Sequence, residues 1–366
     1  MNETIRVGVV GASPDRGWAP RSHLPAIAAL PGFSLTAVAT TRPDSAEEAA
    51  RRFGAAYAFT DAAELAAHPD VDLVAVCVKA PDHDAVVRTA LTAHKHLYCE
   101  WPLGTDLTQA TELAALADAA EVHQAIGLQG RMSPAVNYLR DLLGAGELGE
   151  VLSVSFVQYG SRGGREVHLA DRWEADRTNG ATLLSVTAAH SFDLLRHCLG
   201  ELAELRATLA VRNPVARVIE TGEELPVSSP DVILLQGRFA TGAYLSANVQ
   251  GGLPGARGSR LEVRGSGGRL LLKADSNFQM SDDTLRLSRA AAGGEPAQLV
   301  VPPEYRRAPE EVPPGNARNV AAVYLALAEA IAGRESDCPD FSDALALHGL
   351  VAAIERSAQS GERVAG

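Results

Sequence analysis

Residues 5–20 read IRVGVVGASPDRGWAP, a run that is apolar from Val7 to Val10 and ends in a turn carrying several glycines. An apolar run without polar alternation is a strand buried on both faces, and such strands belong to parallel sheets whose crossovers are helices. Working outward, PRSHLPAIAALPG reads as a helix, FSLTAVAT as a strand, DSAEEAARRFG as a helix, VDLVAVCVKAP as a strand, DAVVRTALTAH as a helix and KHLYCEWPL as a strand. This alternation predicts a doubly wound α/β domain of the Rossmann type over residues 1–130. After AIGLQGR (residues 125–131) the pattern changes. VLSVSFVQYG, LRATLAVR, DVILLQGRF, GAYLSANVQGG and SRLEVRGSGGRLLL are parted by Gly and Pro signals suited to antiparallel strands. Residues 131–366 are therefore expected to form an α+β domain. Within it a helix-like run spans about residues 181–199, residues 289–315 read as a short strand between loops, and 316–333 and 340–361 have helical period with Gly333 and Gly361 as stops. These C-terminal helices are free to pack back on the first domain.

Composition narrows the function. The 366 residues are 46% hydrophobic and 21% charged, which fits two packed domains rather than a disordered chain. A net charge of −12 without a basic run works against phosphate-backbone binding, so no nucleic-acid partner is expected. No stretch approaches the ~20 apolar residues of a membrane helix, and MNETIRVGVV enters a strand without a cleavable leader. A cytoplasmic protein is the expectation. Cys77, Cys99, Cys198 and Cys338 are widely spaced, and two lie in strand-like runs, so neither disulfides nor a zinc site is indicated.

The turn after the first strand places Gly8, Gly11 and Gly17 where main-chain N–H groups would meet a pyrophosphate. It departs from G-x-G-x-x-G, because Ser13 stands at the second glycine and one extra residue precedes Gly17. At the end of the second strand, Thr40, Thr41 and Arg42 suit a 2′-phosphate better than a carboxylate would, so NADP(H) is preferred with NAD(H) possible. The alternative for Arg42 is the start of a surface turn before Pro43.

Together with a strand ending near Pro81, the segments CEWPLG, LQGRMSP, LGEVLSVSF and AAHSFDLLRHCLG resemble the Gfo/Idh/MocA oxidoreductase family over nearly the whole chain. Gly17, Trp18, Ala19, His23, Pro25, Ala26 and Ile27 resemble the branch that holds the fungal galactose-regulon repressor. The resemblance implies a Rossmann domain followed by an open, mostly antiparallel sheet, and NAD(P)-linked chemistry on sugars, polyols or related rings. It implies a cofactor set of Gly11, Ser13, Gly17, Trp18, Thr40, Thr41, Arg42, Lys79, Pro81, His83, Glu100, Pro102 and Gln129. Catalytic members carry Glu-Lys-Pro, often with a cis proline bond, where this chain has Glu100-Trp101-Pro102. An indole cannot donate a catalytic proton near neutral pH; Trp101 would stack on a sugar or on nicotinamide, or simply fill space.

In VTAAHSFD, Val186 and Ala188 replace an acid and a glycine of the family pattern, while His190 remains. Asp193 follows one turn later, on the face where a carboxylate would orient or charge the imidazole; a core histidine satisfied by local bonds is the alternative. His190 with Asp193 is the expected acid or base, Lys79 the fallback, and Arg131, Tyr159, His168 and Arg177 candidate substrate contacts beside Trp101. No metal is expected, since His94 and His96 lack a third ligand and Asp82, His83 and Asp84 read as a polar loop.

The leading expectation is an NADP-dependent oxidoreductase acting on a sugar-like or cyclic alcohol or carbonyl. A non-catalytic nucleotide-binding regulator and a redox-neutral reaction with cofactor recycling are the alternatives. A homodimer or homotetramer is expected, because an open sheet would leave a wide apolar face to be covered.

Overall fold

Strand β1 (Ile5–Val10) runs down the middle of the first sheet, and its last four residues are buried. The computed structural model describes residues 4–160, 162–277 and 284–366. It divides into two units, Met1–Met132 with Arg307–Leu345, and Ser133–Arg306 with Ala346–Gly366.

In the first unit β1 is followed by α1 (His23–Ala29), β2 (Phe33–Ala39), α2 (Pro43–Phe53), β3 (Tyr57–Phe59), α3 (Ala62–Ala67), β4 (Leu73–Val76), α4 (Ala80–Thr92), β5 (His96–Cys99), α5 (Leu107–Ala119) and β6 (Gln124–Ile126). The sheet order is β3-β2-β1-β4-β5-β6, every pair parallel. The short β3 and α3 were not foreseen from the sequence. Local chemistry sets the helix ends: Pro43 opens α2, Gly54 closes it in the left-handed region at φ 78°, and Asp106 caps α5 by accepting from Gln109 N. The helix Asn316–Ile331 belongs to this unit, and its Val320, Val323, Tyr324 and Leu327 join the core around Val7, Val9, Leu73 and Tyr98. The order reverses between β1 and β4, and in open α/β sheets that break marks a ligand crevice at the carboxyl ends of the strands.

The second unit begins with α6 (Pro134–Gly144) and β7 (Val151–Gly160), then β8 (Glu166–Val167). Leu183–Ala188 winds as a π-helix into α7 (Ala189–Leu199). Strands β9 (Leu202–Ala210), β10 (Val215–Val218), β11 (Glu224–Pro226), β12 (Val232–Phe239), β13 (Tyr244–Gly251), β14 (Gly258–Gly265), β15 (Gly268–Ala274), β16 (Arg286–Ala291), β17 (Ala297–Gln298) and β18 (Val364–Ala365) complete it. The large sheet runs β17-β16-β15-β14-β7-β13-β12-β9-β18 and is antiparallel except between β7 and β13. A small sheet, β11-β10-β8, lies beside it in the chain.

Alternation sorts the two faces of the large sheet. Phe156 and Gln158 point to α7, where Phe156 meets Phe192 at 6.3 Å and Ser191 Oγ donates to Gln158 at 3.0 Å. The opposite face presents Ser153, Ser155, Ser246, Gln236, Arg206 and Thr208 among others, in cross-strand register. The expectation of a wide apolar face is corrected here. Period two places serines and long polar side chains opposite the buried valines, phenylalanines and alanines, so this face tolerates water.

Candidate functional site

In the first unit the carboxyl ends of β1, β4, β5 and β6 gather most of the residues expected to hold a nucleotide. Gly11 is left-handed at φ 94°, and a Cβ there would fall 2.5 Å from the Cys77 carbonyl, so only glycine lets this turn cross the end of β4. Its N–H and that of Ala12 both reach Ala39 O. Beyond them the chain opens out: among the described residues none accepts from the main-chain N–H groups of Ser13, Asp15, Arg16 or Gly17. Gly17, at φ 98°, has open space where a side chain would stand. Unused donors in a turn feeding a helix fit a pyrophosphate group. Trp18 Nε1 and Gln129 Oε1 are sealed from solvent without a hydrogen-bond partner among the described residues. Each leaves hydrogen-bonding capacity that a bound ligand or water would satisfy.

Thr40 Oγ1 donates to Arg42 O, Thr41 is exposed, and the Arg42 guanidinium stands in solvent at 71% exposure, 3.4 Å from Asp44. Lys79 is the exposed N-cap residue of α4 and Pro81 lies in its first turn. His83 is turned inward at 1% exposure, with Nδ1 2.7 Å from Pro102 O and Nε2 3.1 Å from Val78 O. Burial holds its pKa below the ordinary imidazole range. His83 lies between the Pro102 and Val78 carbonyls, within hydrogen-bond reach of each. The Trp101–Pro102 peptide is cis and the indole is 5% exposed.

Glu100 ends β5 with its side chain 12% exposed. Its Oε1 is 2.8 Å from His23 Nε2, and His23 Nδ1 is 2.8 Å from Tyr324 Oη. Gly127 makes room on the other side, since a Cβ there would fall 2.6 Å from Glu100 Oε2. Arg131, expected as a substrate anchor, is paired with Asp343 at 2.7 Å inside the same unit.

In the second unit His190 sits in the first turn of α7 at 7% exposure. Burial, with the Arg162 cation pushing the same way, lowers its pKa to about 3. Arg162 is itself paired with Glu174. Asp193, expected to orient or charge the imidazole, lies 3.7 Å from Arg196, and desolvation favours the neutral form of His190. The π-helix before it is capped by Thr182 and Ser185, each side chain bonding the other's main-chain N–H. Tyr159 is half-buried near the end of β7. His168 is an exposed partner of Glu220 at 3.0 Å, and Arg177 pairs with Glu355 at 3.2 Å. Among the described residues no group of three or more His, Cys, Asp or Glu is gathered to hold a metal ion, and no helix is long and apolar enough to cross a membrane.

Three contributors carry little signal of their own in the sequence. His23 stands in HLPAI, Tyr324 lies inside an apolar helical run, and Arg162 belongs to no motif.

Comparison with known proteins bears on both units. A family model described as "Oxidoreductase family, NAD-binding Rossmann fold" matches residues 5–128, and one described as "Gal80p, C-terminal domain" matches residues 134–274. The chain is 30% identical over 249 residues to dehydrogenase aclE of Aspergillus oryzae, covering 65% of this chain and 68% of that protein. It is 26% identical over 344 residues to the galactose/lactose metabolism regulatory protein GAL80 of Saccharomyces cerevisiae, covering 87% and 79%. Among solved structures, a super-repressor mutant of that yeast Gal80p superposes with a TM-score of 0.88 at 23% identity, over 99% of this chain and 98% of the other. Levoglucosan dehydrogenase in complex with NADH and levoglucosan gives 0.85 at 22%, over 99% of each chain. At these identities the two structures show the fold alone.

Proposed function

Because the chain belongs to the Gfo/Idh/MocA oxidoreductase family, we propose that it binds a nicotinamide dinucleotide and transfers hydride between it and a sugar-like or cyclic alcohol or carbonyl. The observation that carries this reading is the turn from Ser13 to Gly17, whose N–H groups find no acceptor among the described residues at the break in strand order. When bound, the dinucleotide supplies the hydride chemistry. The protein supplies orientation. Ser13 to Gly17 would bind the pyrophosphate and Glu100 would accept ribose hydroxyls. Trp101, only 5% exposed, stands where catalytic relatives of the resemblance carry lysine. His190, neutral at physiological pH, would accept the hydrogen of a substrate hydroxyl instead of storing a proton.

The finer part of the proposal is a preference for NADP(H). Arg42 and Thr41 support it from the end of β2, although Asp44 draws on the same guanidinium and keeps the preference modest. A small molecule is the proposed substrate, the cytoplasm the proposed setting, and a homodimer or homotetramer the proposed assembly.

A regulator that binds nucleotide without turnover is the second reading. Trp101 in the lysine position favours it, as does a His190 that holds no proton to give near neutral pH. Titrating NADH and NADPH by nicotinamide fluorescence, then adding cyclic ketones, sugars and polyols, separates the two. Loss of the reduced-cofactor signal with one compound establishes the enzyme. Tight binding without turnover across the panel turns the choice to the regulator, and no binding of either nucleotide defeats both.

A further inference from the structure

The Glu100–His23–Tyr324 chain joins three elements of the first unit: the end of β5, the first residue of α1 and the helix Asn316–Ile331. His23 and Tyr324 are fully buried. A carboxylate only accepts, so His23 Nε2 must carry the hydrogen that reaches Glu100 Oε1. In the neutral imidazole Nδ1 accepts from the Tyr324 hydroxyl, which keeps its proton because burial, then Cys77 and Glu100, raise its pKa. The rings cannot turn freely. His23 meets Tyr98 edge-on at 4.7 Å, Tyr98 meets Tyr324 at 4.9 Å, and Phe33 meets Tyr324 at 5.4 Å.

Apolar side chains of the same volume would fill this core without burying an imidazole and a phenol. What the polar chain adds is a fixed end. Glutamate has three side-chain torsions, and an unpinned carboxylate would lose their freedom each time it met a ligand. Here Oε1 is tied to His23, while Gly127 leaves space for Oε2 to lie over the end of β6. Glu100 stands on the β4-β5-β6 side of the strand-order break, and β2, whose end meets the adenosine ribose in such folds, stands on the other.

We propose that His23 and Tyr324 are positioning residues that hold the Glu100 carboxylate ready for the ribose hydroxyls of the nicotinamide half of a dinucleotide. The proposal rests on the nucleotide reading above. The test titrates the full-length chain with NADH and with AMP, in the unaltered protein and in E100Q, H23L, H23Q and Y324F. E100Q and H23L should weaken NADH about tenfold, the size of one charge-assisted hydrogen bond, with AMP changed less than about twofold. H23Q, whose amide nitrogen replaces the Nε2 donor, should recover to within about threefold, and Y324F should lose about threefold.

Equal losses for AMP and NADH, an H23Q as weak as H23L, or an H23L as tight as the unaltered chain would overturn the positioning role while leaving nucleotide binding intact. An unaltered protein that binds neither NADH nor NADPH would overturn the nucleotide reading itself, and the proposal with it. Should H23L fail to fold by circular dichroism, H23Q and Y324F decide the matter: an H23Q within about threefold of the unaltered chain together with a Y324F weakened about threefold supports the chain, and an H23Q weakened about tenfold or a Y324F as tight as the unaltered chain refutes it.

Discussion

His23 and His190 are both nearly sealed from solvent, at 0% and 7% exposure, yet they stand in opposite surroundings. His23 has a carboxylate on one nitrogen and a phenol on the other, each at 2.8 Å. His190 has burial against it and a guanidinium, Arg162, nearby. The first unit fixes its histidine by hydrogen bonds; the second unit fixes the charge of its histidine by desolvation. Burial of an imidazole therefore says little about its role until its partners are known.

The second unit is easiest to break at Gly251. A Cβ there would fall 1.8 Å from the carbonyl oxygen of Arg162, and a main-chain neighbour cannot swing aside as a side-chain tip does. Gly251→Ala should cost about 3 kcal/mol or more in urea unfolding. It should also displace the segment that carries the cation beside His190. Gly17→Ala, in the first unit, has the φ penalty without the clash and should cost only about 1 kcal/mol. Comparable losses at the two glycines would show that the Arg162 segment yields easily.

A smaller effect sharpens the contrast in charge. The folded-state pKa of His190 is lowered to about 3, below an unfolded value near ~6.5. As pH falls below ~6.5 the unfolded chain takes up a proton that the folded chain refuses, so stability is lost on acidification until about pH 3 and is unaffected above ~6.5. Between pH 7 and 5 this group alone should cost about 2 kcal/mol. His190→Gln should remove that part of the slope, read as urea unfolding at the two pH values, and His83, shifted in the same direction, remains as a common background. An unchanged slope would show that the imidazole is not held neutral.

Much of the fold was legible in the sequence because buried parallel strands write themselves as apolar runs, as in IRVGVV and LVAV. β3 and α3 were missed because three and six residues are too few to show a period. The turn after β1 was legible through Gly11 and Gly17, whose positive φ values favour glycine. Tyr324 was not, since a tyrosine in an apolar helix looks like core until the packing brings it against His23, 301 positions away in sequence. Asp193 is ambiguous for a related reason. Helical spacing places it on the same side as His190 and, at the next i+3 step, within 3.7 Å of Arg196, whose hydrogen bonds go to Glu201.

The smallest expected effect concerns the other exposed extreme. Arg162 acts on a buried imidazole, whereas Arg42 is 71% exposed and its pairing with Asp44 is loose, at 3.4 Å. A cation in water is screened within about 10 Å at ordinary salt, so whatever Arg42 gives to a 2′-phosphate must be modest and sensitive to salt. Arg42→Ala should weaken NADPH roughly threefold to tenfold at low ionic strength and NADH less than about twofold. Raising the salt should shrink the NADPH loss, because the screened charge is the one removed. Equal losses for the two nucleotides would take the 2′-phosphate away from Arg42, and a loss indifferent to salt would mean that the guanidinium is ordered against the phosphate in a drier place than its exposure shows.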